Sequence, residues 1–521
     1  MNLGRLLTNA ARRTPDAPAI TQGSSTTTYR ELAERVNALA HALRRLGATP
    51  GARVACMMPN SPELIETMFA CFTAGIGWVP LNAKFQASEI AYHLEDSGAI
   101  ALVTSSAMRD VVDGAIPDDV HVVAVDGPGG ADADWAGTTS YETVLTAERD
   151  REPLDLTVDR DTLAWLFYTS GTTGRPKGAM LTHGILSFVT ASWLADLTPM
   201  SGLDVTLHAA PLTHGAGFHA LATTARGAHH VIASPGRFEP AAILDVMAEH
   251  KVTNTWLVPT QIIMLTDAAG DHPVDLPDLK QIVYGGAPFP EPELRRALQA
   301  FGPRLVQLYG QGETPMTATV LTPDDHRAAL AVPPPSRLST AGYARPGMSL
   351  RIVDENDNPV PAGVVGELVV SGPAVMTGYW NRPEETALAL RGGWLHTGDL
   401  GRIDEDGCLT LLDRVKDMII TGGSNVYAVE VEAVLLGHQD VKDVAVIGVP
   451  DRTWGEQVVA VVVTASGGPA IEAELEELCG TSLATYKHPR RYCFIDALPR
   501  NAYGKILKRE LRTMITDGTA E

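Results

Sequence analysis

Cysteine is scarce in this chain. The five present, Cys56, Cys71, Cys408, Cys479 and Cys493, are odd in number, scattered and never in Cys-x-x-Cys spacing. That argues against a disulfide framework and a thiolate zinc site, and favours a reducing compartment. Long apolar runs are missing as well. No segment approaches the ~20 apolar residues that span a bilayer. The amphipathic residues 1–13 hold no apolar stretch of signal-peptide length. Integral membrane association is not expected, and a cytoplasmic location is. Positive charge is in the minority, with 41 Lys and Arg against 62 Asp and Glu and a formal net charge of -21. Such a surface repels nucleic acid and anionic membranes. An anionic substrate must then be met by locally placed cations, backbone N–H groups or a metal. Internal repeats and low-complexity segments are absent too.

What is present describes a globular protein of several folding units. At 521 residues the chain exceeds one ordinary core, and 48 glycines and 35 prolines are spread along it, as suits many strand–loop–helix junctions. Thr28-Tyr-Arg-Glu31 is a capping box, followed at helical spacing by Leu32, Val36, Leu39, Leu43 and Leu46, with Gly47 as the stop. Strands are expected at 54–58, 102–104, 120–125, 163–168, 231–234, 254–258, 281–284 and 305–308, with a helix over 62–72 and a surface loop over 126–140. Alternating strands and helices imply an α/β fold with a large, parallel-rich N-terminal domain of several subdomains. After the break at Pro333-Pro-Pro335, residues 349–372 alternate as strands. Near Asp413 a compact α+β unit begins, which places a domain boundary there.

The most telling stretch is Tyr168-Thr-Ser-Gly-Thr-Thr-Gly-Arg-Pro-Lys-Gly178. Glycines let backbone N–H groups turn inward, the hydroxyls add donors and Lys177 adds positive charge, a combination suited to a polyphosphate. The strand before it places the loop at a strand end, where open α/β sheets bind ligands. Its spacing does not fit the P-loop, which has four residues between the glycines and Lys-Ser/Thr after them. Further clusters also follow strands. Tyr284-Gly-Gly-Ala287 sets flexible backbone beside an aromatic. Tyr309-Gly-Gln-Gly-Glu-Thr314 offers a stacking ring, a carboxylate and a hydroxyl, as a magnesium-bound nucleotide requires. Its Gly-x-Gly lacks the third glycine of a dinucleotide fingerprint. Thr397-Gly-Asp-Leu400 carries a carboxylate in a tight turn, Asp413-Arg-Val-Lys-Asp417 is a dense charge cluster, and Pro499-Arg-Asn-Ala-Tyr-Gly-Lys505 presents one lysine on a glycine hinge.

Taken in order, these clusters resemble the adenylate-forming superfamily of acyl-CoA synthetases, adenylation domains and beetle luciferases, over about residues 28–511. Met418-Ile-Ile-Thr-Gly-Gly-Ser-Asn425 and Tyr486-Lys-His-Pro489 look like segments of that family's small domain. The resemblance implies that Thr169, Ser170, Gly171, Thr172, Thr173, Gly174 and Lys177 wrap the β- and γ-phosphates of ATP. It implies that Gly285, Gly286, Ala287 and Tyr309 hold adenine, that Glu313 ligates Mg²⁺, and that Asp399 and Arg414 bind ribose. Lys505 would bridge the substrate carboxylate and the α-phosphate, and Lys416 would lie in a hinge over 413–416 between a large domain over 1–412 and a small, mobile α+β domain over 417–521. Gly422 and Gly423 would line the pantetheine tunnel of coenzyme A, and His214, Phe218 and Met316 would face the acid. Three positions depart from the pattern. Gly312 replaces the threonine of Tyr-Gly-x-Thr-Glu, with Thr314 as the candidate substitute hydroxyl. Thr213 stands where an aromatic is common, and Ala428 where proline is usual.

The implied reaction joins a carboxylic acid to ATP as acyl-adenylate, then to the thiol of CoA, releasing pyrophosphate and AMP. The acid is a medium-chain fatty acid or an aryl acid such as a benzoate or cinnamate. Two alternatives stand beside this acid–CoA ligase. One is an adenylation enzyme loading a separate acyl carrier protein, distinguished by CoA-independence. The other is a silent nucleotide-binding homologue, distinguished by the lack of AMP release. A homodimer is the default assembly.

Overall fold

The computed structural model describes residues 1–125, 135, 137–169, 175–234, 236–270, 272–333, 336–414, 417–421, 424–465, 469–501 and 506–516. Local chemistry builds its elements much as the sequence indicates. The Thr28 hydroxyl accepts from Glu31 N, and the Glu31 carboxylate accepts from Thr28 N, closing the capping box of the helix Tyr29–Arg45. Leu32, Val36, Leu39 and Leu43 on that helix are buried. It packs against the helix Pro62–Ala74, which Ser61 caps at one end and a left-handed Gly75 at the other.

Among the described residues the strands form four sheets. A nine-stranded sheet runs parallel from Leu305–Tyr309 through Gln281–Tyr284, Asn254–Leu257, Val205–His208 and His229–Ile232 to Pro18–Gln22, with antiparallel strands added at both edges. A seven-stranded sheet is parallel as far as Leu163–Thr169, which then turns back antiparallel into Lys177–Thr182. The largest core joins residues of these two sheets with helices such as Tyr29–Arg45, Pro62–Ala74 and Gly215–Arg226. A four-stranded antiparallel sheet ends in Leu395–Ile403 and Leu409–Arg414, and a five-stranded sheet with its own two cores builds the C-terminal part. The α/β architecture with a smaller C-terminal unit is as expected.

Differences from the sequence reading lie at edges and boundaries. The expected loop over 126–140 contains an edge strand, Thr138–Ser140, paired parallel with His121–Val125. Trp135 closes over it by donating its indole N–H to Asp113 at 2.7 Å. The strand expected at 231–234 is His229–Ile232, because two polar histidines begin it. In the C-terminal part the strand Val441–Asp451 is long because its antiparallel partner Gly455–Thr464 continues the ladder to the Asp451–Gly455 pair.

Candidate active site

The parallel strands of the nine-stranded sheet point their C-terminal ends the same way, so the segments that follow them share one edge. Gln281–Tyr284 and Leu305–Tyr309 are direct neighbours. That brings the exposed turn at Gly286 and Ala287 beside Tyr309. Residues 209–214 follow Val205–His208 on the same edge, and the hairpin ending in Thr169 and beginning again at Lys177 comes from the other large sheet.

Asp399 is the best-partnered of the expected ligand groups. Its Oδ1 pairs with Arg414 Nε at 2.6 Å. Its Oδ2 accepts from the Tyr309 hydroxyl and from Gln311 Nε2 at 2.7 Å. The strands fix this meeting, because Asp399 and Arg414 are register partners in the antiparallel pair. Gly398, at φ 67°, makes the turn that a side chain would strain, and the Thr397 hydroxyl accepts from Asp399 N at 3.0 Å. Burial and the adjacent Asp399 charge keep the Tyr309 hydroxyl protonated, its pKa held well above the ordinary tyrosine value.

A second carboxylate lies between the two large sheets. Glu313 is 8% exposed, and its Oε1 accepts from the Thr169 hydroxyl at 2.9 Å and from the Tyr379 hydroxyl at 2.8 Å. No partner of Oε2 stands among the described residues, so one hard oxygen is available to a cation. The ring of Tyr379 also lies 4.3 Å from the Lys177 ammonium. Tyr379 was not foreseen from the sequence, and neither was the pairing of Gln311 with Asp399. Tyr379 reaches the site because residues 377–380 run along the outer edge of Lys177–Thr182, with Met180 N bonded to Gly378 O and Trp380 N to Gly178 O. Such an edge contact leaves no spacing signal in sequence.

A third group is aromatic. Phe167 lies edge-on to His214 at 5.2 Å and stacks on Phe218 at 5.7 Å, with Trp165 4.6 Å from Phe218. Phe218 itself is 1% exposed. Burial lowers the His214 pKa to about 3, so the imidazole is neutral and serves as a polar, uncharged wall. Met316 adopts φ 52°, and its thioether sits where a Cβ built on Gly215 would lie 2.7 Å away, next to the Trp256 indole. Arg345, completely buried, donates to Met316 O at 3.2 Å while paired with Asp196 at 2.6 Å.

The structure thus brings together Thr169, Lys177, Glu313 and, next to them, Tyr309, Asp399 and Arg414. Thr314 is fully buried, its hydroxyl without a partner among the described residues. Ser170, Gly171, Thr172, Thr173, Gly174, Lys416, Gly422, Gly423 and Lys505 lie outside the described residues.

Comparison with known proteins adds three findings. A family model described as AMP-binding enzyme matches residues 7–380, and one described as the AMP-binding enzyme C-terminal domain matches residues 430–505. The chain is 40% identical to a feruloyl-CoA synthase from Amycolatopsis sp over 98% of both chains. It is 36% identical to the fatty acid–[acyl-carrier-protein] ligase ScoC from Streptomyces coeruleorubidus, over 96% of this chain and 94% of that one. Its fold is similar to that of ATP-bound MatB from Rhodopseudomonas palustris, with a TM-score of 0.87 and 31% identity over 99% of each chain.

Proposed function

The chain belongs to the AMP-binding enzyme family and is an AMP-forming acid–thiol ligase; from that premise we propose that it activates an aryl-substituted carboxylic acid and transfers it to coenzyme A. The observation that carries the choice of acid is the half-buried Phe167 ring with neutral His214 beside Glu313, backed by the buried rings of Trp165 and Phe218. Flat rings pack well against such a wall. The 40% identity to a feruloyl-CoA synthase supports the same class.

In the first half-reaction a carboxylate oxygen attacks the α-phosphorus of ATP. An acyl–oxygen–phosphorus bond forms, the bond to the bridging oxygen breaks, and pyrophosphate departs. Asp399, with Arg414 holding its orientation, offers its remaining acceptor capacity to ribose hydroxyls, and Tyr309 and the 285–287 turn flank adenine. Lys177 and Thr169, with the hydroxyl and backbone donors that the sequence supplies at 170–174, would bind the β- and γ-phosphates. Glu313 fits a Mg²⁺ ligand through Oε2, and the hydroxyls on Oε1 aim it. When bound, that ion offsets negative charge on phosphate oxygens. Lys505 supplies the positive charge between carboxylate and α-phosphate. In the second half-reaction the thiol loses its proton to solvent, its sulfur attacks the acyl carbon, and AMP leaves with the carboxylate oxygen it gained. Rotation of residues 417–521 about Lys416 separates the two steps and brings Gly422 and Gly423 to the pantetheine path. The separate family matches to the large and small parts support that division. The five free, buried cysteines support a reducing, cytoplasmic location.

Pyrophosphate–ATP exchange measured across benzoic, cinnamic and medium-chain alkanoic acids tests the reading, with CoA added in a second series. Exchange stimulated most strongly by cinnamic-type acids, and thioester formed with free CoA, are the expected results. Stimulation by alkanoic acids alone sinks the choice of acid. Thioester formed only on a carrier protein, as the ScoC relative's name describes for that protein, sinks the choice of thiol.

A further inference from the structure

The glycine at 312, where the motif otherwise has threonine, leaves no empty space. A Cβ built there would come 2.4 Å from Thr169 Cγ2 and 2.6 and 2.8 Å from Phe167 Cδ1 and Cε1. All are closer than real Cβ contacts allow, so the space beside Gly312 is filled by the Thr169 methyl and the Phe167 ring together. Phe167 is only half-buried, unlike its neighbours Trp165 and Phe218, which are buried. It sits two residues before Thr169, whose hydroxyl is bonded to Glu313, and it lies edge-on to His214. One ring therefore spans from the carboxylate that would hold the metal to the wall of the acid pocket. A group at this junction faces the acid at the carbon next to its carboxylate, ahead of any distal substituent.

We propose that Phe167 and Gly312 are a reciprocal pair that determines which acids enter. Gly312 makes room for the ring, and the ring admits acids with a flat, unsubstituted α-carbon while excluding acids branched there. Arylpropenoic acids satisfy this condition; α-methyl and α-hydroxy acids do not, nor do benzoates, whose α-carbon is a ring carbon bearing two others. Phe167 acts by contact with the acid. Gly312 is a positioning residue that acts through Phe167. The inference rests on the acid–thiol ligase reading.

The test is a ratio measured within one enzyme preparation, which cancels any loss of folded protein. For cinnamate and α-methylcinnamate, the ratio of kcat/KM in acid-stimulated exchange should fall at least ~10-fold in Phe167→Ala, the low end for one methyl group in a shaped pocket. Gly312→Thr alone should lose roughly 100-fold in exchange, by misplacing the ring beside the reacting groups. Because the Thr169 methyl meets the same Cβ, the rescue is measured in Thr169→Ser: adding Phe167→Ala to Gly312→Thr/Thr169→Ser should restore exchange to within a few-fold of Phe167→Ala/Thr169→Ser. A ratio unchanged in Phe167→Ala overturns the inference alone, as does a Phe167→Ala change that restores nothing in Gly312→Thr/Thr169→Ser. A wild-type protein whose exchange no acid stimulates overturns the ligase reading and this inference with it.

Discussion

Asp399 shows how much one residue depends on neighbours that the sequence names only in part. Its carboxylate gathers Arg414, Tyr309 and Gln311. Replacing the charge while keeping the shape, in Asp399→Asn, should raise KM for ATP roughly 10–100-fold, since hydrogen bonds to charged groups are worth about 1.5–3 kcal/mol. KM for the acid should change far less. Steady-state exchange with each substrate varied in turn checks this, and an equal rise for both would place Asp399 outside nucleotide binding. At this scale the sequence was informative where a residue sits inside a local motif. Asp399, Tyr309 and Glu313 were each singled out by turn chemistry and strand-end position. Tyr379 was not, because it lies 66 positions from the Glu313 it bonds, and no local pattern records such a distance.

Elements show a different division. Capping residues, turn glycines and alternation marked most boundaries to within a few residues. The five-residue π-helical turn Trp193–Leu197, at the end of the helix His183–Ser192, has no such mark. It carries Asp196, whose pairing with the fully buried Arg345 holds the carbonyl of Met316 in its left-handed conformation. Such π-turns inside helices often sit at functional sites. Asp196→Ala leaves a cation buried without its partner, and should destabilise the protein by about 3 kcal/mol. Denaturant unfolding measures that loss. KM for the acid should rise in the same variant at temperatures where it remains folded. An unfolding midpoint equal to wild type would show that Arg345 is satisfied by carbonyl groups alone.

The whole molecule carries an unusual load of buried histidine. His208 bonds His230 at 2.9 Å, His230 bonds Thr224 at 3.0 Å, and His219 stacks on Trp193 at 4.8 Å. The groups around them, Thr206, Thr223, Thr224, Asn254 and Trp193, are uncharged. Burial lowers His219 and His230 to about 3, and holds His208 well below its ordinary value, with the neighbouring imidazoles adding to the effect. The sign follows from these depressed values. The unfolded chain titrates near 6.5 and binds protons that the folded chain refuses. Stability is therefore full above about pH 6.5 and falls as pH drops from there toward about 3, by roughly 1.4 kcal/mol per imidazole for each pH unit. Thermal midpoints should decline steeply between pH 7 and pH 5, and His219→Phe should shallow that slope by one proton. A flat profile over this range would mean that the protonated imidazoles find hydrogen-bond acceptors within the fold.

The sequence by itself determined the chemistry available and its order along the chain: a hydroxyl- and glycine-rich loop after a buried strand, a carboxylate after Tyr309, another in a tight turn, and the caps that begin the helices. These depend on neighbours within a few residues, whose backbone preferences act whatever the rest of the chain does. Tertiary structure alone decided which of these groups meet. The parallel sheet places Val205–His208 between strands that come later in the chain, and an edge segment sets Tyr379 against Glu313. It also decided that the missing side chain at Gly312 is filled by Phe167, because close packing lets one residue's volume be supplied by another 145 positions away.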